Sequence, residues 1–113
     1  MEINLIYMTA GSREEAEAIG RDLVGAKLAA CVNIVGGMSS IYRWQNELQM
    51  DEEVVMIAKT TAARVEALIE RVKSIHSYDC PCILQLPVAG GHQPFLDWVA
   101  GETQASGEPS EGA

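Results

Sequence analysis

The chain has 113 residues, enough for one domain, with 48% apolar side chains and a net charge of −8. That charge disfavours nucleic acid and anionic membrane surfaces, both of which are gripped chiefly through Lys and Arg. No run reaches the roughly 18 consecutive apolar residues of a membrane span, and three cysteines, an odd number, argue against a closed disulfide framework.

The start, MEIN, lacks the basic region of a signal peptide and reads directly as the lead into a strand, so the expected compartment is the cytoplasm. Residues 3–8 (INLIYM) form that short apolar strand. Ser12 and Glu15 have the spacing of a helix capping box. Ala16, Ile19, Leu23 and Val24 follow on one helical face, which predicts a helix over residues 12–27. Residues 28–35 (LAACVNIV) read as a second strand, and Gly36-Gly37 permits a bend or bulge. An extended stretch resumes over residues 40–45, and the polar run 47–53 reads as a hairpin tip. A third strand covers residues 54–60. Thr60 or Thr61 is placed to cap a second helix, whose inward face is Val65, Leu68, Ile69, Val72 and Ile75. A turn at 76–79 leads to a fourth strand over 82–88. Pro94 suits the first turn of a last short helix, with Phe95, Leu96 and Val99 inward. The domain should therefore span residues 1–103. Residues 104–113 carry almost no apolar side chains and read as a disordered tail.

The order is β-α-β-β-α-β plus a C-terminal helix, an α+β arrangement of the ferredoxin-like type. Right-handed crossovers put both long helices on one face of the sheet. Yet the second and third strands are apolar on both faces, a pattern that normally means both are buried. A monomer would leave several hundred Å² of apolar surface wet, so the second face is expected to pack against other copies.

The segments KLAACVNIV, SIYRW, MIAKT, HSYDCPCILQLPV and FLDWVAGET, in this order and spacing, resemble the CutA divalent-cation tolerance family. The resemblance covers about residues 3 to 103. It implies a fold similar to that of the PII signalling proteins and a homotrimer with sheets inward and helices outward. It also implies tolerance of divalent metals, copper above all, with ions bound near subunit boundaries.

Cys31 matches the family's cysteine in the ACVN segment; it is either a soft-metal ligand or a small buried hydrophobe. His76 matches the histidine after the second helix, where it can bind copper or zinc or cap the helix. Cys80 and Cys82 form a C-x-C pair. Residues two apart in a strand share a face at about 6.5–7 Å, which suits two ligands better than a disulfide. The family usually carries an aliphatic residue at position 80 and Glu at 82, so a surviving site would be softer here, favouring Cu(I) or zinc. The resemblance also places Tyr42, Arg43, Trp44, Lys59, Tyr78, Trp98 and Glu102 along a cleft between subunits. Tyr and Trp there serve interface packing equally well. His92 and the acidic run Glu47 to Glu53 read as solvated.

Three readings follow. The first is a non-catalytic homotrimer that binds divalent metal ions, with copper or zinc as cargo. The second is a PII-like signalling trimer holding a small anionic effector near Lys59, Arg43 and Trp44. The third, an enzyme, lacks G-x-S-x-G, H-E-x-x-H and a P-loop.

Overall fold

The computed structural model describes residues 2–104. The expected tail therefore lies, apart from Gln104, outside the described residues. The elements run β1 (Ile3–Ala10), α1 (Arg13–Gly25), β2 (Cys31–Trp44), β3 (Glu47–Thr61), α2 (Ala62–Ile75), β4 (Ile83–Pro87) and α3 (Gln93–Glu102). The sheet order is β2-β3-β1-β4, antiparallel throughout. This is the expected ferredoxin-like arrangement.

Local chemistry accounts for each helix end. Ser12 caps α1 by accepting from the Glu15 N–H at 3.1 Å. The helix closes at Gly25 rather than at 27, because Lys27 turns left-handed at φ 61°. Thr61 occupies the N-cap position of α2, but its hydroxyl contacts that of Thr103 at 3.5 Å and makes no capping bond. Thr60 likewise bonds the Leu28 carbonyl instead, at 2.7 Å.

The core lies between the helices and one face of the sheet. Ile6, Met8, Met56, Leu68 and Val72 are fully buried there, with Ile19 and Leu23 from α1. Arg71 of α2 clamps α1 through a bidentate pair with Asp22, both bonds 2.7 Å. That hydrogen-bonded guanidinium, joined by its charge, holds the Asp22 carboxyl below its ordinary range against a smaller opposing effect of burial. Val24, Ile75 and Phe95 were expected inward but are exposed, since each sits at the rim of its helix's apolar stripe. Val99 is the buried anchor of α3, packed on Ile3 and Ala30 with Leu96 partly buried beside it.

The largest departure from the sequence reading concerns residues 47–53. They are strand, not a hairpin tip. β2 and β3 pair all the way from Cys31↔Lys59 to Trp44↔Glu47. The turn is just Gln45-Asn46, with φ of 50° and 66°, the left-handed pair of a tight two-residue hairpin. Polar side chains at alternate positions disguised a strand whose other face carries Leu48 and Met50.

The Gly36-Gly37 bulge is where it was expected. The ladder passes from Val35↔Val55 to Met38↔Glu53, so one extra residue is absorbed and Gly37 adopts φ 76°. Because of that extra residue, the face turned away from the helices is carried by Cys31, Asn33 and Val35 before the bulge. After it the same face is carried by Met38, Ser40, Tyr42 and Trp44. Leu84 and Leu86 of β4 are exposed at 57% and 46%. Their registry with Tyr7 and Leu5 puts them on this face too, which no helix of the long pair covers.

Candidate functional site

Where β1 ends, the open face and the loop after α2 enclose a cleft of about 640 Å³. Tyr7, Tyr42, Trp44 and Tyr78 give it aromatic walls. Glu53 and Asp79 add carboxylates, and Met38, Cys80 and Cys82 add sulfur. No Lys or Arg lines it among the described residues.

Side-chain bonds fix two of the rings. The Tyr42 hydroxyl donates to Asp51, and the Tyr78 hydroxyl donates to Glu53 at 3.0 Å. Burial, the Glu53 bond and nearby carboxylates push the Tyr78 hydroxyl up to about 12, so it stays a donor. Burial, with Glu53 nearby, also pushes the Cys82 thiol up.

The loop that carries Tyr78, Cys80 and Cys82 is pinned from below by His76. Its ring is 1% exposed. Nδ1 accepts the Tyr78 N–H at 3.0 Å, which leaves the proton on Nε2, donated to the Thr9 carbonyl at 2.8 Å. Both nitrogens are thus committed to backbone, and a metal here would have to displace one of these bonds. His76 is also the residue at which α2 ends, its N–H bonding the Val72 carbonyl. Glu15 secures the loop from the α1 side. Its carboxylate accepts the Ser77 N–H at 2.8 Å and the Ser77 hydroxyl at 3.0 Å, 3.8 Å from His76. Burial alone would raise the Glu15 carboxyl. The Ser77 and Gly11 bonds outweigh it, so the carboxyl is held below its ordinary range. A depressed carboxyl stabilises the fold above its unfolded value and loses that effect as pH falls through the folded one. Glu15→Gln should therefore cost about 1–2 kcal/mol at pH 7. The gap should shrink as pH drops below 4.5. An equal gap at pH 3 and pH 7 in urea melts would refute this role.

The sequence-derived residues fall into two groups. Tyr42, Trp44, Tyr78, Cys80 and Cys82 meet in the cleft. Cys31, Lys59, Trp98 and Glu102 do not. Cys31 pairs with Lys59, Lys59 with Leu5, and Leu5 with Leu86, which places Cys31 level with the far end of β4. Three strand spacings and four residues along the sheet put it about 20 Å from Cys82. Lys59 donates to Asn33 and, at 3.5 Å, to the Cys31 sulfur. Trp98 belongs to α3, which packs at the same Ile3 end and stacks it on Phe95 at 5.6 Å. Arg43 pairs with Leu48, on the strand face opposite Tyr42 and Trp44. Glu53 and Tyr7 were missed as cleft residues. Alternation counted back from Val55 and Ile57 would have found Glu53. Nothing in the sequence marks Tyr7.

An antiparallel four-stranded sheet with two long helices on one face and an open cleft on the other defines an α+β chain of the ferredoxin-like class. Residues 4–102 match the profile described as CutA1 divalent ion tolerance protein. The divalent-cation tolerance protein CutA of Thermus thermophilus is 46% identical over 99 residues, 88% of this chain and 96% of that one. The chloroplastic CutA 1 of Oryza sativa is 38% identical over 102 residues, and there the chain spans 58% of the relative's length. Among solved structures, the Thermus Cut A1 protein superposes with a TM-score of 0.88 at 44% identity, covering 90% of this chain and 99% of that one. CutA1 from Oryza sativa gives 0.90 at 37% identity, covering 94% and 97%. The chain belongs to the CutA1 divalent ion tolerance family.

Proposed function

We propose that the chain is a homotrimer that binds divalent metal ions, copper foremost, in this cleft and serves tolerance of them without catalysis. The observation that carries the reading is the lining: among the described residues of one chain it holds thiols, carboxylates and aromatic rings with no basic side chain, a set that attracts cations. The split of candidate residues supports assembly. One end of the open face holds Tyr42, Trp44 and Tyr78, and the other holds Cys31, Lys59 and Trp98. A head-to-tail contact between copies would bring the two ends together, and such contacts form a ring where their rotation closes. Three free thiols favour a reducing compartment such as the cytoplasm. No helix among the described residues is long and apolar enough to cross a membrane.

The signalling alternative draws less support from the single chain. Within one chain Lys59 is turned to Asn33 and Arg43 lies on the other strand face, so neither reaches that chain's own cleft and an anion there would need Lys59 from a neighbouring copy. Sedimentation velocity with Cu(II) and Zn(II) titration tests the proposal. A particle of three chains binding at least one of these ions is expected. A folded monomer of 12.2 kDa that takes up neither ion would sink it.

A further inference from the structure

We propose that Cys80 and Cys82 form a two-sulfur site for the soft monovalent ion Cu(I) in the cleft. This rests on the cleft being a metal site and adds a monovalent ion to its divalent cargo. Both thiols are free and both line the cleft. They stand two residues apart, with Cys82 adjoining β4. Cys80 lies in the bend before β4 and Cys82 immediately precedes the strand, so it is their common opening on the cleft, and not strand pleating, that sets both sulfurs toward one ion. Pro81 between them fixes its own φ and so stiffens the pair.

Donor number decides the ion. Structural zinc takes four ligands, and calcium or magnesium takes still larger oxygen shells. Among the described residues no three of the His, Cys, Asp and Glu side chains converge for a metal. One chain therefore offers a sulfur pair and not the fuller set. Thiolates select Cu(I), which is satisfied at low coordination number. His76 does not add a ligand, because both its nitrogens are bonded to backbone. Met38 lines the far wall three strands away, with its sulfur accepting the Tyr7 hydroxyl at 3.5 Å, and we assign it no bond to the ion.

Binding is ligand exchange with no change of oxidation state. Two S–H bonds break, two Cu–S bonds form, and two protons leave to solvent. Below the thiol pKa values the apparent affinity should then rise about 100-fold per pH unit.

The test is an anaerobic titration of the full chain with Cu(I) against a colorimetric Cu(I) chelator, beside Cu(II) and Zn(II) titrations. One Cu(I) per chain is expected, with at least about 100-fold loss in Cys80→Ser and in Cys82→Ser. Cys80 is exposed, so its substitution keeps the test sound even if Cys82→Ser perturbs folding. Binding should quench tryptophan emission, and Trp44→Phe should remove most of that quench. Cu(I) binding undiminished in both serine variants, or quenching indifferent to Trp44, overturns the two-sulfur site. Cu(II) or zinc binding that ignores both cysteines overturns it too while leaving the metal-binding reading standing. No binding of any of the three ions overturns both.

Discussion

Leu84→Asp combined with Leu86→Asp is expected to convert the proposed trimer into 12.2 kDa monomers at micromolar concentration. Both side chains project from β4 away from the long helices, 57% and 46% exposed in the single chain. Val35, also on that face, is 54% exposed. Burying each such aliphatic side chain against another copy is worth about 1.5–3 kcal/mol. A buried unpaired carboxylate instead costs several kcal/mol. Two reversals in every copy therefore exceed what an interface of ordinary size can absorb. The fold of the single chain should survive, because neither leucine touches the core of Ile6, Met56 and Leu68. Sedimentation velocity with far-UV circular dichroism checks both parts. An undiminished particle mass would mean that this face is not the contact.

Leu68→Ala should be the opposite case: the chain itself fails. Leu68 is fully buried on α2, in the cluster that joins both helices to the sheet. Removing it forfeits transfer free energy and leaves a cavity that a sheet-backed site closes poorly, about 3–4 kcal/mol in all. Against a total of about 5–15 kcal/mol that is a large share. Urea denaturation at fixed protein concentration should show the midpoint fall with an unchanged slope. A loss under about 1 kcal/mol would mean that α2 packs more loosely than its burial indicates.

Part of the cleft's lining was legible in the sequence, and where it was not the cause is physical. Tyr42, Trp44 and Tyr78 were expected by resemblance along a cleft between subunits, and within the single chain they come together in one cleft. The cysteines could be listed but not sorted. Whether Cys31 stands near Cys82 depends on three strand registers, and each is set by contacts between residues far apart in the chain. The same limit hid the role of His76. Its partners, the Thr9 carbonyl and the Tyr78 N–H, are backbone groups that no side-chain pattern announces. The acidic run at 47–53 is largely exposed, as its charge implied, but exposure was mistaken for a hairpin tip although Leu48 and Met50 alternate through it in strand fashion.

The sequence alone determined the element order, the helical stripes, the glycine bulge and the two-faced apolar character of the strands. These are local or periodic properties, carried by neighbouring residues and visible wherever the chain is read. Only the tertiary structure decided which candidates meet. It set the Gln45-Asn46 turn, extended the hairpin by seven residues on β3, and sent Cys31 and Lys59 to one end with Cys80 and Cys82 at the other. Side-chain convergence is a product of register and crossover geometry. A single residue's shift in either changes the outcome without altering any local pattern.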